Sequence, residues 1–316
     1  MVVVSVMQDE DVETAVREAI SLIGGIKTVV KRGDGIVIKP NLVTAMPAEA
    51  GMTTDPRVVE VIIKLCQEMD PSFLVIAEGS ATVDTYTAFE KAGYEEISAK
   101  YGVDTIDLNS QITTAKRIPF GRGVQFLEIP DQILEADVLI NVPKLKLYRA
   151  NWASLAVKNL VGILNDQGFF TDEKVSKFSL EVSPELWKPD GKWYLPHHKK
   201  YFNPRGEKEK IHENLNDSIV DLASIVKPSL NVIDGISVCR DPDLTYYDPT
   251  PVQLNTIIAG KDYMAVDTVA LQIADRTPLE IPYLKPAVER GIGESDLSKI
   301  DVVGTPIEDV KKLWLT

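Results

Sequence analysis

The sequence predicts an α/β protein with a mostly parallel or mixed sheet, helices on both faces, and an irregular aromatic-rich insertion. Three observations carry that class. Short apolar runs alternate with longer amphipathic runs over the first half, as strands joined by crossover helices do. The same alternation resumes after residue 212, and between the two stretches lies a segment with no rhythm of its own. The expected organisation is therefore a first α/β half over 1–164, an arm or flap over 165–212, and a second half over 213–316 packed on the first.

The elements follow in order. "VVVSV" (2–6) reads as a strand and is followed by a helix over 12–23. "IVIK" (36–39) is the second strand. Asp55-Pro56 then announces a helix, an N-cap residue before Pro at the first helical position. "FLVIAE" (73–78) is a strand, with helices expected near 85–92 and 94–100. "VDTIDLN" (103–109) and "ADVLINV" (136–142) are strands. A nearly apolar helix is expected over 151–164. Beyond the arm come a helix near 213–226, strands at 229–236 and 252–260, a helix near 262–274, a strand at 299–304 and a short helix from Glu308.

The arm holds eight of the 22 aromatic residues, from Phe169 to Phe202, and Pro184, Pro189, Pro196 and Pro204 oppose a long regular element within it. It reads as an irregular insertion, or as a lid or dimer arm through which two chains could pair.

Lys+Arg of 34 against Asp+Glu of 47 gives a net charge of −13, which argues against a general nucleic-acid or acidic-membrane binder. The N-terminal ten residues carry no basic region, and no apolar run approaches membrane-spanning length. Cys66 and Cys239 are too few for a disulfide framework. A reduced, cytoplasmic protein is the expectation.

In an open parallel sheet, ligands bind outside the carboxyl ends of the strands, and those ends are where this chain places its polar residues. "IVIK-PN" delivers Lys39 and Asn41, and "LVIA-EGS" delivers Glu78 and Ser80. "VLIN-VPKLK" delivers Lys144 and Lys146, and "LNVI-DGIS" delivers Asp234. Lysines grouped within an acidic protein point to a small anion, a carboxylate or phosphate. Thr53 and Thr54 stand beside a helix N-terminus, where free amides favour an anion, although taken alone the stretch is better explained by simple capping. In the apolar stretch 151–164, Lys158 and Asn159 fall in or beside the core. A buried lysine must be paired or carry a depressed pKa, and either state suits a ligand clamp or an active amine, a reading preferred to a lysine snorkelling to water from a half-buried helix.

No GxGxxG, GxxxxGK[ST] or GxSxG motif is present. The histidines are His197, His198 and His212, an arrangement that does not predict a zinc site. Asp241, Asp243 and Asp248 share one loop without an EF-hand glycine or terminal glutamate. No metal ligands are assigned.

"IVIKPNLV", "GMTTDPRVVEVI", "INVPKLK" followed by "LAVKNLVGIL", "IHENLNDSIVDLA", "NVIDGI" and "IIAGKDYMAVDTVA" together resemble the domain of unknown function 362 family over nearly the whole chain. That family is in turn distantly similar to the nickel-pincer lactate racemases. The resemblance implies an isomerase-like reaction and a metal-bearing nucleotide cofactor held through a lysine, a position that Lys158 matches. Tyr148 stands where both families usually place a histidine, so histidine-based proton transfer does not carry over. Many relatives also carry an iron–sulfur module, which two cysteines cannot build.

The resulting expectation is an enzyme acting on a small anionic metabolite. Lys39, Asn41, Thr53, Thr54, Ser80, Lys144, Lys146 and Asn159 would bind the ligand. Lys158, Tyr148, Glu78 and Asp234 would be the reactive groups. The alternative is a non-catalytic carrier or sensor of a nucleotide, phosphate or organic acid.

Overall fold

A computed structural model describes residues 1–80, 83–148, 152–164, 207–239 and 251–315. The expected arm at 165–212 lies outside these up to residue 206, as does the acidic loop of Asp241, Asp243 and Asp248.

The chain begins with β1 (Val2–Gln8) and α1 (Val12–Leu22). β2 (Gly35–Lys39), α2 (Pro56–Gln67), β3 (Phe73–Glu78), α3 (Thr85–Lys91), α4 (Tyr94–Tyr101) and β4 (Asp104–Asp107) follow. Next come β5 (Thr113–Arg117), β6 (Phe126–Pro130), α5 (Asp131–Leu134), β7 (Val138–Asn141), β8 (Lys146–Tyr148), β9 (Trp152–Ser154) and α6 (Ala156–Asn159). The remainder comprises α7 (Glu207–Ile225), β10 (Leu230–Val238), β11 (Val252–Gly260), α8 (Tyr263–Gln272), α9 (Leu284–Arg290), β12 (Ile300–Gly304) and α10 (Ile307–Leu315).

Eight strands form one mixed sheet in the order β12-β1-β11-β10-β7-β2-β3-β4. Neighbours pair in parallel except on the two sides of β11, which is antiparallel to β1 and to β10. The sheet is α/β as the alternation predicts, with one reversed strand. Strands from both sequence halves share it.

Side chains of successive strand residues enter two apolar cores, one on each face. Ile36 and Ile38 pack with Val16, Ile62 and Ile63 from α1 and α2, while Val37 packs with residues such as Leu160, Val220 and Val269 on the other face. β2 is buried along its whole length, as a central parallel strand with helices on both sides must be.

From β2 the chain runs outward through β3 to β4, then returns to place β7 on the other side of β2. The direction of winding reverses there. The gap between the carboxyl ends of β2 and β7 is thus the switch point, where open α/β sheets form their ligand crevice.

One expected element is corrected. Residues 151–164 do not form a single apolar helix. Within the described part, β9 pairs with β8 as a short antiparallel hairpin, Leu155 is extended, and only α6 and a 3-10 turn over Leu160–Ile163 are helical. The physical reason is the buried carboxylate of Asp267 in α8. It accepts from the amides of Ala156 (2.7 Å) and Val157 (3.1 Å) and so fixes the helix start at that point. The two-stranded β5–β6 sheet and α9 were not anticipated from sequence periodicity. The helix expected from 213 begins at Glu207.

Candidate functional site

Lys39 ends β2 and Glu78 ends the neighbouring β3. Lys39 Nζ donates to both Glu78 oxygens at 2.9 Å and to the Pro40 carbonyl at 3.0 Å. Lys39 is 0% and Glu78 2% exposed. Burial pushes the Lys39 ammonium below the ordinary lysine range, and the facing Glu78 carboxylate opposes that push. The Glu78 carboxylate also accepts from the amides of Leu42 (3.0 Å) and Gly79 (2.9 Å). Gly162 lies directly over the pair: a Cβ there would come within 2.2 Å of Glu78 Oε1 and 2.9 Å of Lys39 Nζ.

Thr54 ties the loops after β2 and β7 to the start of α2. Its hydroxyl receives the Asn41 amide at 2.8 Å and donates to the Val142 carbonyl at 2.7 Å. Its amide donates to the Asn41 carbonyl at 2.9 Å, and its carbonyl accepts from the buried Tyr94 hydroxyl at 3.0 Å. Burial raises Tyr94 well above the usual tyrosine range, so this hydroxyl acts as a donor. Thr53 is buried and donates to the Met46 carbonyl at 3.2 Å.

Asp234 sits within β10, just before a β-bulge between Gly235 and Ser237. Its Oδ2 accepts from Lys144 Nζ at 2.8 Å and from the Asp55 amide at 2.7 Å, and its Oδ1 from the Ile236 amide at 2.9 Å. Lys144 and Asp234 are both fully buried. The start of α2 therefore does receive an anion, and it is the chain's own Asp234.

A chain of amides runs beside these pairs and meets the first of them at the Pro40 carbonyl. Asn141 Nδ2 donates to the Ala156 carbonyl and to Asn231 Oδ1, both at 3.0 Å. Asn159 Nδ2 donates to Asn141 Oδ1 at 2.8 Å and to the Pro40 carbonyl at 3.2 Å. Asn41 Nδ2 donates to Asn159 Oδ1 at 2.9 Å, and Asn41 Oδ1 accepts from Lys146 Nζ at 2.6 Å. The network runs from β10 through β7 and α6 to the loop after β2 and ends on a lysine.

Lys146 differs from the two lysines before it. It is 2% exposed, and among the described residues its ammonium meets a neutral amide where Lys39 and Lys144 each meet a carboxylate. Burial, then the charges of Lys158 and Lys144, bring its pKa down to about 7. Lys158, on α6, is half-buried and within electrostatic reach of Lys146.

Ser80 follows the end of β3, with its backbone held by Thr85 and Asn109 and its hydroxyl buried without a hydrogen-bond partner among the described residues. Tyr148 has its backbone in β8, opposite Trp152, and its side chain lies outside the description. The structure thus brings Lys39, Asn41, Thr54, Glu78, Lys144, Lys146, Asn159 and Asp234 into one hydrogen-bonded cluster at the switch point. Thr53 and Ser80 stand at its margins.

Asp267, Asn231 and Gly162 belong to the cluster and were not foreseen. The signal for Asp267 was present: a single acid in "MAVDTVA", inside an apolar helix, is the mirror of the argument applied to Lys158. Burial pushes its carboxyl up to about 8, against the amides of Val157 and Ala156 that lower it. Asn231 is likewise a lone amide in "SLNVI". Gly162 leaves no trace in the sequence beyond being a glycine.

Among the described residues, no three His, Cys, Asp or Glu side chains converge as a metal-binding group, and the side chains of the three histidines lie outside the description. The described donor set therefore does not match a side-chain-held metal, and no chemical step is assigned to one.

The chain is similar to a thylakoid-associated protein of Synechocystis sp., 23% identical over 311 residues that cover 95% of this chain and 81% of that one. It is also similar to the lactate racemase apoprotein of Thermoanaerobacterium thermosaccharolyticum, at 15% identity and a TM-score of 0.44, covering 83% of this chain and 54% of that one. A protein of Thermotoga maritima aligns at 12% identity and a TM-score of 0.39, over 70% of this chain and 50% of that one. The chain spans about half the length of each of these two solved structures. The family profile described as Domain of unknown function (DUF362) matches residues 36–272, three-quarters of the sequence, and the chain belongs to that family.

Proposed function

We propose that the switch-point cluster binds a small anionic metabolite and that the chain is an enzyme of the isomerase class, exchanging a proton with that metabolite through Lys146. The observation that carries this reading is the partner set of the three buried lysines. Lys39 and Lys144 are neutralised by Glu78 and Asp234 and act as framework. Among the described residues the Lys146 ammonium is met by the Asn41 amide and by no carboxylate, and it lies in the field of Lys144 and Lys158, an environment that an incoming carboxylate or phosphate would relieve.

An amine with a pKa of about 7 is present in both protonation states at neutral pH, the condition under which one group both removes and returns a proton efficiently. Lys158, half-exposed and adjacent, is the group to hold the anion. Asn41 and Asn159 fix the Lys146 ammonium through the amide chain.

The test is solvent-deuterium incorporation. Purified protein is incubated in heavy water with a panel of 2-hydroxy, 2-amino and 2-oxo acids and their phosphorylated analogues, and the acids are analysed by mass spectrometry. Incorporation at carbon that is lost in Lys146→Met and retained in an exposed control such as Lys100→Met supports the enzyme. Anion binding without incorporation for any acid assigns the cluster to a carrier or sensor instead.

A further inference from the structure

The β5–β6 hairpin takes no part in the site, and its composition is unlike that of the rest of the protein. From Leu108 to Leu127 there is no acidic residue, while Lys116, Arg117 and Arg122 fall within the segment, in a chain of 47 acidic and 34 basic residues. Phe120 at the tip is 94% exposed and Phe126 53%. Phe126 pairs with Arg117 across the hairpin, so an aromatic ring and a cation share one face.

The tip is held in position. Phe120 has φ of 62°, a left-handed conformation unusual for a bulky residue and maintained only where the surroundings impose it. A Cβ on the adjacent Gly121 would lie 1.9 Å from the Val124 carbonyl oxygen, so the turn closes only with glycine at that position. The buried carboxylate of Asp221, on α7, accepts from the amides of Arg122 (3.2 Å), Gly123 (2.8 Å) and Val124 (2.9 Å), and from Arg290 at 2.7 Å. The fold thus orders a loop whose most prominent side chain contributes nothing to the core.

We propose that this tip docks on an anionic lipid bilayer, with Phe120 and Phe126 entering the headgroup boundary and Lys116 and Arg117 facing lipid phosphates, while Arg122 is already met by Glu289 at 3.8 Å and is not counted among them. Charge complementarity and the protruding aromatic select this occupant. Basic side chains around an exposed aromatic ring match the interface between headgroups and acyl chains. An acidic protein surface would pair the cations and leave Phe120 without an apolar seat. The net charge of −13 opposes approach, but it is screened beyond about 8 Å at physiological ionic strength. The contact is therefore local, weak and salt-sensitive.

The full chain is sedimented with vesicles of phosphatidylcholine mixed with phosphatidylglycerol, and with pure phosphatidylcholine vesicles. The expected result is binding to the mixed vesicles only, weakened by added salt. Phe120→Ser should weaken it by about tenfold, and Lys116→Ser with Arg117→Ser by about thirtyfold, near one kcal/mol per cation. These residues are exposed, so the variants should fold, which unchanged circular dichroism and thermal midpoints would confirm. In Phe120→Trp, the fluorescence should shift to the blue on adding mixed vesicles. Absence of binding, or binding indifferent to these substitutions, overturns the proposal. So does self-association that Phe120→Ser abolishes without vesicle binding, which would assign the patch to a second copy of the chain.

Discussion

Lys39 and Glu78 face each other across the carboxyl ends of two adjacent parallel strands, both Glu78 oxygens lie 2.9 Å from the Lys39 ammonium, and neither residue meets solvent. Two charges are taken out of water to hold the loops after β2 and β3 together, with the amides of Leu42 and Gly79 completing the carboxylate's shell. Replacing such a pair by apolar residues can be neutral, whereas removing one partner leaves an uncompensated buried charge. Glu78→Gln should therefore destabilise the fold by about 3–5 kcal/mol, measured as a lower urea midpoint. Gly162→Ala should lose about 1–3 kcal/mol by pressing a methyl group onto Glu78 Oε1. A Glu78→Gln protein as stable as wild type would show that the pair is not closed in solution.

The amide chain makes a second prediction. Asn141 holds Asn231, Asn159 and the Ala156 carbonyl at once. Asn141→Leu fits the volume but leaves several buried polar groups unpaired, at about 1–3 kcal/mol each. The expected outcome is a large loss of stability together with a loss of anion affinity, because the chain that ends on Lys146 is cut. If affinity survives in folded Asn141→Leu protein, the network does not position that lysine.

Asp267 gives a prediction with a defined sign. Its folded pKa of about 8 lies far above the ordinary aspartate range, so its contribution to stability is fully present below the unfolded pKa and is lost as pH rises through the folded value. Between those limits the unfolded chain releases the proton first, and stability falls with increasing pH. Asp267→Asn removes the titration along with one acceptor. It should compare worst with wild type at the acidic end of that window and best near its alkaline end, in urea titrations at both pH values. A constant difference would contradict the assignment.

Much of the fold could be read from the sequence because its signals were local. Asp55-Pro56 marked the start of α2, and the apolar runs at 73–78 and 252–260 coincide with β3 and β11. The strand ends carrying Lys39, Glu78 and Lys144 could be named for the same reason. What was not legible was partnership. Three lysines look alike in sequence, and only the tertiary structure gives Glu78 to Lys39, Asp234 to Lys144 and an amide to Lys146. The apolar stretch 151–164 was misread for a related reason. Its hydrophobic residues cover a whole helical circumference, but a carboxylate from α8, more than a hundred residues later, decides where the helix begins.

The most direct test of the account is a calorimetric titration of wild-type and Lys146→Met protein. Phosphate and a panel of small carboxylates would be added one pH unit below and one above the Lys146 value of about 7. An anion that binds the ammonium form should bind about tenfold more tightly at the lower pH, with proton uptake at the higher one, and Lys146→Met should abolish both. Equal affinity at the two pH values, unchanged in Lys146→Met, would contradict the central claim that Lys146 is the anion-responsive amine of the site.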